Sequence, residues 1–390
     1  MSQHYQDLGI YSDLVGAAQR SHPLWPEARP GKATQRKVRE ALAFAPGDEA
    51  PQDVRIEQRW ERDGVSGELL SWSVGYGPRT QAFYLRPVGS DGKKLPGVLA
   101  LHHHGGFKLY GKEQIADGPE PVPEPVAPSR GQYYGGRAYA NELARRGFAV
   151  LVPDVFLWGS RKFPLETMTA LHQGRGKKLA SESGANPAQL YNTTAGLHEE
   201  LVAKYATVLG ISLAGVVSYE DRVAASYLAS RPDVQSRALG CVGLSGGGLR
   251  AALLQATCSK IRASVVVGMM STFPSLLDHN IVSHTWLLYP PAWMPHGDYP
   301  DLAACRAPSP LMVQYDEADP LFTLEGMRTA DARIARHYAS VGKPENYVGQ
   351  FYPGGHKFDL LMQAAAFDWL AAQLKAAGST HKGGRLPVSV

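Results

Sequence analysis

Several features are scarce or missing in this 390-residue chain, and each absence removes a class of protein. No run of about 18 apolar residues occurs, the length a helix needs to cross a bilayer core, so no membrane-spanning helix is expected. Cysteine is rare. Cys241, Cys258 and Cys305 are odd in number, widely spaced and without a C-x-x-C pair, which argues against a disulfide framework, a metal site or a redox motif. Cys241 lies in an apolar run and reads as a small buried filler. The opening residues, Met1-Ser2-Gln3-His4-Tyr5-Gln6-Asp7, lack the basic and apolar regions of a secretory signal, and a cytoplasmic location is expected. No G-x-G-x-x-G opens a dinucleotide domain and no P-loop lysine follows a glycine turn, so no cofactor is implied.

Charge of one sign is also in short supply. Lys and Arg number 40 against 36 Asp and Glu, a formal net charge of +4. The densest basic groups, Arg36-Lys37-Val38-Arg39 and Arg175-Gly176-Lys177-Lys178, are short and belong to no extended stripe. They read as solvated helix faces or loops, and no nucleic-acid partner is expected.

What remains is a chain of ordinary globular composition whose hydrophobic period changes along its length. Residues 1–50 are broken by Pro23, Pro26, Pro30 and Pro46 and read as an N-terminal extension with one helix near 34–44. Period-two segments at 54–62, 69–74 and 82–86, separated by Gly and Asp turns, predict an antiparallel edge. After Pro96, strands and helices alternate. Apolar runs at 97–101, 148–152, 239–244, 263–267, 311–315 and 347–351 predict strands. Helices are expected at 136–146, 247–257 and 324–339, and from a capping box at Ser218-Tyr219-Glu220-Asp221 to just before Pro232. A last amphipathic helix carries Leu360, Ala364, Phe367, Leu370 and Leu374 on one face. This pattern predicts an α/β fold, a mostly parallel central sheet with helices on both faces and antiparallel N-terminal edge strands. The main domain is expected over 51–378, with a helical insertion at 156–216 and a tail at 379–390. The segment 117–130, with five prolines, reads as an extended polyproline-like loop.

Gly243-Leu244-Ser245-Gly246-Gly247 is a G-x-S-x-G that closes one predicted strand and opens a helix, the strand–turn–helix setting of a nucleophile elbow. The glycines suit a turn with no room for side chains beside the serine. A helix N-terminus also favours developing negative charge. A serine hydroxyl needs a base, and His356 lies in a glycine-rich loop between the last strand and the last helix. The carboxylate that fixes the imidazole is expected from the loop after strand 311–315. Asp319 is the choice there and Asp316 the alternative. The order Ser, Asp, His is that of α/β-hydrolases. Oxyanion donors are expected from the Gly246 N–H and from His104, or else Gly105, in Leu101-His102-His103-His104-Gly105-Gly106-Phe107. Adjacent side chains on a strand point to opposite faces, so the three histidines are not expected to hold a metal.

Together these motifs resemble the dienelactone hydrolase and acetyl xylan esterase branch of the α/β-hydrolase superfamily. The residues that carry the likeness are Gly-Leu-Ser-Gly-Gly-Gly, the His-rich segment, Glu-Ala-Asp-Pro-Leu-Phe and Gly-Gly-His-Lys-Phe, within about residues 80–376. His103 stands where the branch's His-Gly-x-Gly-Gly segment has its first glycine. Branch members like dienelactone hydrolase proper use cysteine as nucleophile; Ser245 favours ordinary carboxylic esters. The resemblance implies a serine esterase with the triad Ser245, His356 and Asp319, acting on a small-molecule ester with a short acyl group such as acetyl. A lactonase, amidase or C–C hydrolase with the same triad is the alternative, and a non-catalytic binding protein a more distant one. Tyr133, Tyr134, Trp158, Trp286 and Trp293 read equally as pocket lining or as core.

Overall fold

The computed structural model describes residues 4–182, 184 and 186–379. Nine strands form one sheet: β1 (Gln52–Arg62), β2 (Val65–Ser73), β3 (Thr80–Pro87), β4 (Leu95–Leu101), β5 (Ala149–Pro153), β6 (Val234–Leu244), β7 (Ile261–Val267), β8 (Leu311–Asp316) and β9 (Tyr347–Tyr352). Their spatial order is β1-β2-β3-β5-β4-β6-β7-β8-β9. The pairs β1–β2, β2–β3 and β3–β5 are antiparallel. From β5 onward all pairs are parallel. The sheet is therefore mostly parallel with an antiparallel N-terminal edge.

The parallel strands read as unbroken apolar runs because helices cover both faces. Alternate residues serve separate cores. Leu99, Leu101, Leu151, Cys241 and Val266 face one cluster with the helices Leu213–Ser230 and Gly246–Thr257. Val98, Ala100, Val150, Val242 and Val265 face the other, with the helices Tyr139–Arg145 and Leu360–Ser379. Cys241, Cys258 and Cys305 are all buried and unpaired. Among the described residues no single helix is long and apolar enough to cross a membrane.

Three local expectations are corrected. The helix after the insertion starts at Leu213, not near Ser218, and its N-cap is Ser212, whose side chain accepts from the Gly215 N–H. Ser218 is instead buried mid-helix, and its hydroxyl accepts from Arg222 at 2.7 Å. The capping-box pattern misled because every residue from 213 to 225 is buried, so packing extends the helix past the local signal. The polyproline-like stretch ends at Pro125, where the helix Val126–Tyr134 begins. Pro128 fits in its first turn, where backbone N–H groups have no helical partner. The last helix runs to Ser379, and the rest of the expected tail lies outside the described residues.

Two helices, Ala170–Glu182 and Pro187–Val208, lie between β5 and the helix Leu213–Ser230. The second opens on a reciprocal capping box between Asn186 and Gln189, with Pro187 at its first position. Asp221 and Arg250 tie the helix Leu213–Ser230 to the helix after β6 with two hydrogen bonds, at 2.7 and 2.9 Å, both side chains being buried. Arg250→Met leaves a buried carboxylate uncompensated, and urea denaturation should show a loss of about 3–5 kcal/mol. Adding Asp221→Asn should recover part of it.

Candidate active site

Ser245 stands between the end of β6 and the helix Gly246–Thr257, with φ 55° and ψ −122°. L-residues avoid this region, at a cost of about 1–3 kcal/mol. The turn is held by the Ser245 N–H on the Val267 carbonyl and by the Leu249 N–H on the Ser245 carbonyl, each 2.9 Å. The flanking glycines are obligatory. A methyl group on Gly243 would overlap the Gly247 backbone, and one on Gly247 the Leu101 carbonyl oxygen. Ser245 is largely buried at the floor of a cavity of about 200 Å³, which His356 also lines. Its hydroxyl makes no hydrogen bond to the described residues; such contacts between nucleophile and base are often long until substrate draws them in.

His356 follows β9 and Asp319 follows β8. Two backbone hydrogen bonds lace these loops together, Glu317 N–H to the Tyr352 carbonyl at 2.9 Å and Ala318 N–H to the Gly354 carbonyl at 3.0 Å. The lacing sets His356 Nδ1 2.6 Å from Asp319 Oδ2. The other Asp319 oxygen accepts from the Leu321 N–H at 2.9 Å, so both carboxylate oxygens are engaged. Asp316, the alternative acid, has a different partner. Its Oδ2 accepts from the Lys357 N–H at 3.0 Å and anchors the loop behind the imidazole. Burial pushes the Asp316 carboxyl up to about 7. Gly268, at the end of β7 with φ +55°, leaves space for this pair: a methyl there would lie 3.2 Å from His356 Cε1 and 3.3 Å from Asp316 Oδ2.

The residues expected as oxyanion donors meet beside Ser245. A methyl on Gly246 would fall 2.7 Å from the His104 backbone nitrogen. Among the described residues, neither the His104 N–H nor the Gly246 N–H donates to another group. Gly246 is the first residue of the helix, whose N-terminus favours negative charge. The three histidine rings diverge. His102 Nδ1 lies 3.1 Å from the His103 carbonyl oxygen, His103 Nδ1 lies 2.8 Å from the Tyr134 hydroxyl, and His104 Nε2 lies 3.3 Å from Glu199. Burial lowers the pKa of all three, that of His103 to about 3. Among the described residues, Asp316, Asp319 and His356 alone bring three potential ligand atoms together, within 4.8 Å. The 2.6 Å His356–Asp319 separation fits a hydrogen bond and is too short for two ligands of one ion.

No family model matches the chain. Across 304 residues it is 24% identical to YtaP of Bacillus subtilis (strain 168), proposed to be a hydrolase, covering 78% of this chain and 85% of that one. Its fold matches a Bacteroides fragilis NCTC 9343 protein proposed to be an acetyl xylan esterase, with a TM-score of 0.65 and 17% identity over 88% of this chain and 82% of that one. A glucuronoyl esterase from Solibacter usitatus matches with a TM-score of 0.59 and 14% identity, covering 91% and 99%. This chain has the α/β-hydrolase fold.

On that fold the cavity lies at the carboxyl ends of the parallel strands. Besides Ser245, Gly246 and His356 it is lined by His103, His104, Gly105, Gly106, Tyr133, Met269, His284, Thr285 and Leu321. Of the aromatic candidates only Tyr133 lines it, its ring edge-on to His356 with centroids 6.1 Å apart. Tyr134 and Trp158 support the histidine loop from behind. Trp293 is core, its indole N–H donating to the Asp298 carbonyl at 3.0 Å, and Trp286 is half exposed beside a separate groove. A larger groove of about 370 Å³, between β2, β3 and the 117–123 segment, contains none of these residues. Lys108, Glu199 and Thr285 were not visible to motif reasoning, because each comes from a different segment and belongs to no local pattern.

Asp316 carries a test by linkage. Its folded pKa lies above the unfolded value, so the native state holds the extra proton, and its contribution to stability is lost as pH rises from about 4 to about 7. Asp316→Asn keeps an acceptor for Lys357 but cannot titrate. Denaturation midpoints across that range should decline less steeply in this variant than in wild type.

Proposed function

We propose that this protein is a serine hydrolase of carboxylic esters with short acyl groups. The observation that carries the reading is the His356–Asp319 hydrogen bond of 2.6 Å at the rim of the cavity that holds Ser245 and two free backbone N–H groups. With Asp319 accepting from Nδ1–H, the lone pair of His356 is on Nε2, the tautomer a general base requires. His356 takes the Ser245 proton as the hydroxyl attacks the ester carbonyl. The His104 and Gly246 N–H groups stabilise the oxyanion. His356 then protonates the leaving alcohol, and water repeats the cycle on the acyl-enzyme.

The size of the cavity supports a small acyl group. About 200 Å³ is below the usual range of about 300–1,000 Å³ for ligand pockets, and Met269 and Leu321 give it apolar walls. The neighbour proposed to be an acetyl xylan esterase supports an acetyl group, and the glucuronoyl esterase supports ester hydrolysis alone. Acetyl esters of a polar scaffold are the favoured substrates. A matched series of ester, lactone and amide will rank the alternatives the same triad could serve.

Purified protein should hydrolyse p-nitrophenyl acetate and label with a fluorophosphonate at Ser245. Ser245→Ala should abolish labelling and lower kcat by several orders of magnitude, and Asp319→Asn should lower kcat by about 10³–10⁴. Asp316→Asn should retain most activity. Equal turnover by wild type and Ser245→Ala would remove Ser245 from the reaction.

A further inference from the structure

Glu199 is almost fully buried on the inserted helix Pro187–Val208, yet it reaches both walls of the cavity. Its Oε2 lies 2.5 Å from Lys108 Nζ and 3.3 Å from His104 Nε2. Its Oε1 accepts from the Thr285 hydroxyl at 2.5 Å and from the Trp286 N–H at 3.2 Å. His104 belongs to the oxyanion wall and Thr285 to the wall on another loop. Lys108 is buried as well, its ammonium 3.8 Å from the centroid of the Trp158 ring.

Hydrogen-bond accounting fixes what Glu199 does to His104. The Gly106 N–H donates to His104 Nδ1 at 3.0 Å, so that nitrogen carries the lone pair. Burial and the Lys108 charge keep the ring neutral, so the single ring proton is on Nε2 and points at Glu199. The next two residues, Gly105 at φ +53° and Gly106 at φ +63°, have a backbone that many conformations suit. The His104 carbonyl is held by the Phe107 N–H at 3.0 Å and the Trp158 indole N–H at 3.4 Å, and Glu199 ties its ring to the helix Pro187–Val208. The same inserted helix adds a second tie, Asn192 Oδ1 accepting from the Leu109 N–H at 2.9 Å.

The geometry points to Glu199 as a positioning residue that orients the His104 N–H toward the oxyanion by gripping the His104 ring and bracing it against Thr285. This rests on the ester-hydrolase reading above. Neutralising Lys108 alone would need one carboxylate oxygen; the carboxylate here pairs with Lys108 and also accepts from His104, Thr285 and the Trp286 N–H. A carboxamide has one accepting oxygen; with it on His104, the amino group meets the Trp286 N–H donor to donor, so E199Q cannot keep both ties.

The test measures kcat and KM for p-nitrophenyl acetate per serine titrated with fluorophosphonate, in E199Q and in K108M/E199Q. The double variant removes both buried charges together, so it keeps the fold if the lone ammonium in E199Q does not. Loss of one oxyanion donor costs about 10²–10³ in turnover, and a misaimed donor should cost roughly tenfold to a hundredfold. That drop is expected in kcat per labelled serine, with KM within about threefold. A kcat per labelled serine within about twofold of wild type in the double variant would overturn the assignment and leave Glu199 a structural brace. Wild-type protein that neither labels nor turns over would instead overturn the hydrolase reading, and this role with it.

Discussion

The backbone of Ser245, held at a positive φ that a side-chain-bearing residue avoids, is the constraint around which the surrounding structure is built. Strain of about 1–3 kcal/mol persists only where neighbours over-determine the conformation. Here they do so from three sides. Val267 on β7 accepts the Ser245 N–H, Leu249 on the following helix donates back to its carbonyl, and Gly247 packs directly on the β4 backbone at Leu101. That last contact matters beyond the turn. By bringing the elbow against the end of β4, it sets Gly246 against the His104 backbone nitrogen, so one steric condition places the Ser245 turn and the histidine segment together.

How much of this was legible in the sequence depends on the range of the interactions involved. The elbow was readable because strand, turn and helix are contiguous and the glycines report the crowding directly. The parallel core was readable because strands covered on both faces are mostly apolar, as β5 is throughout. The helix start at Leu213 was not, since burial against the core outweighed the capping pattern at Ser218. Asp316 is the last residue of β8 and Asp319 lies three residues on in the loop; that loop position favoured Asp319, but which acid meets the imidazole is not set locally. The separation comes from β8–β9 lacing, a tertiary event. Glu199 left no trace at all. Its partners lie about 90 residues before and after it, and a lone glutamate on a helix ordinarily signals only a solvated face.

The helix Pro187–Val208 thus joins two separate segments. It contacts the histidine loop at Leu109, Lys108 and His104, and a second segment at Thr285, which lines the cavity, and Trp286, which does not. A buried ion pair on its own is weak evidence for stability, because desolvation offsets most of the attraction. A pair whose acid also grips two loops has a geometric task that an apolar replacement would not perform.

The pairing of Lys108 with Glu199 has an effect on whatever leaves the site. Among the described residues no lysine or arginine side chain lines the cavity around Ser245, and the buried Lys108 ammonium is paired with Glu199. On the proposed reading, hydrolysis of a neutral ester ends with a carboxylate anion that would find backbone donors placed for a tetrahedral oxygen and no cation in the lining to retain it. Product expulsion would then follow from the electrostatics: such a chamber favours the passing alkoxide over the acid it becomes.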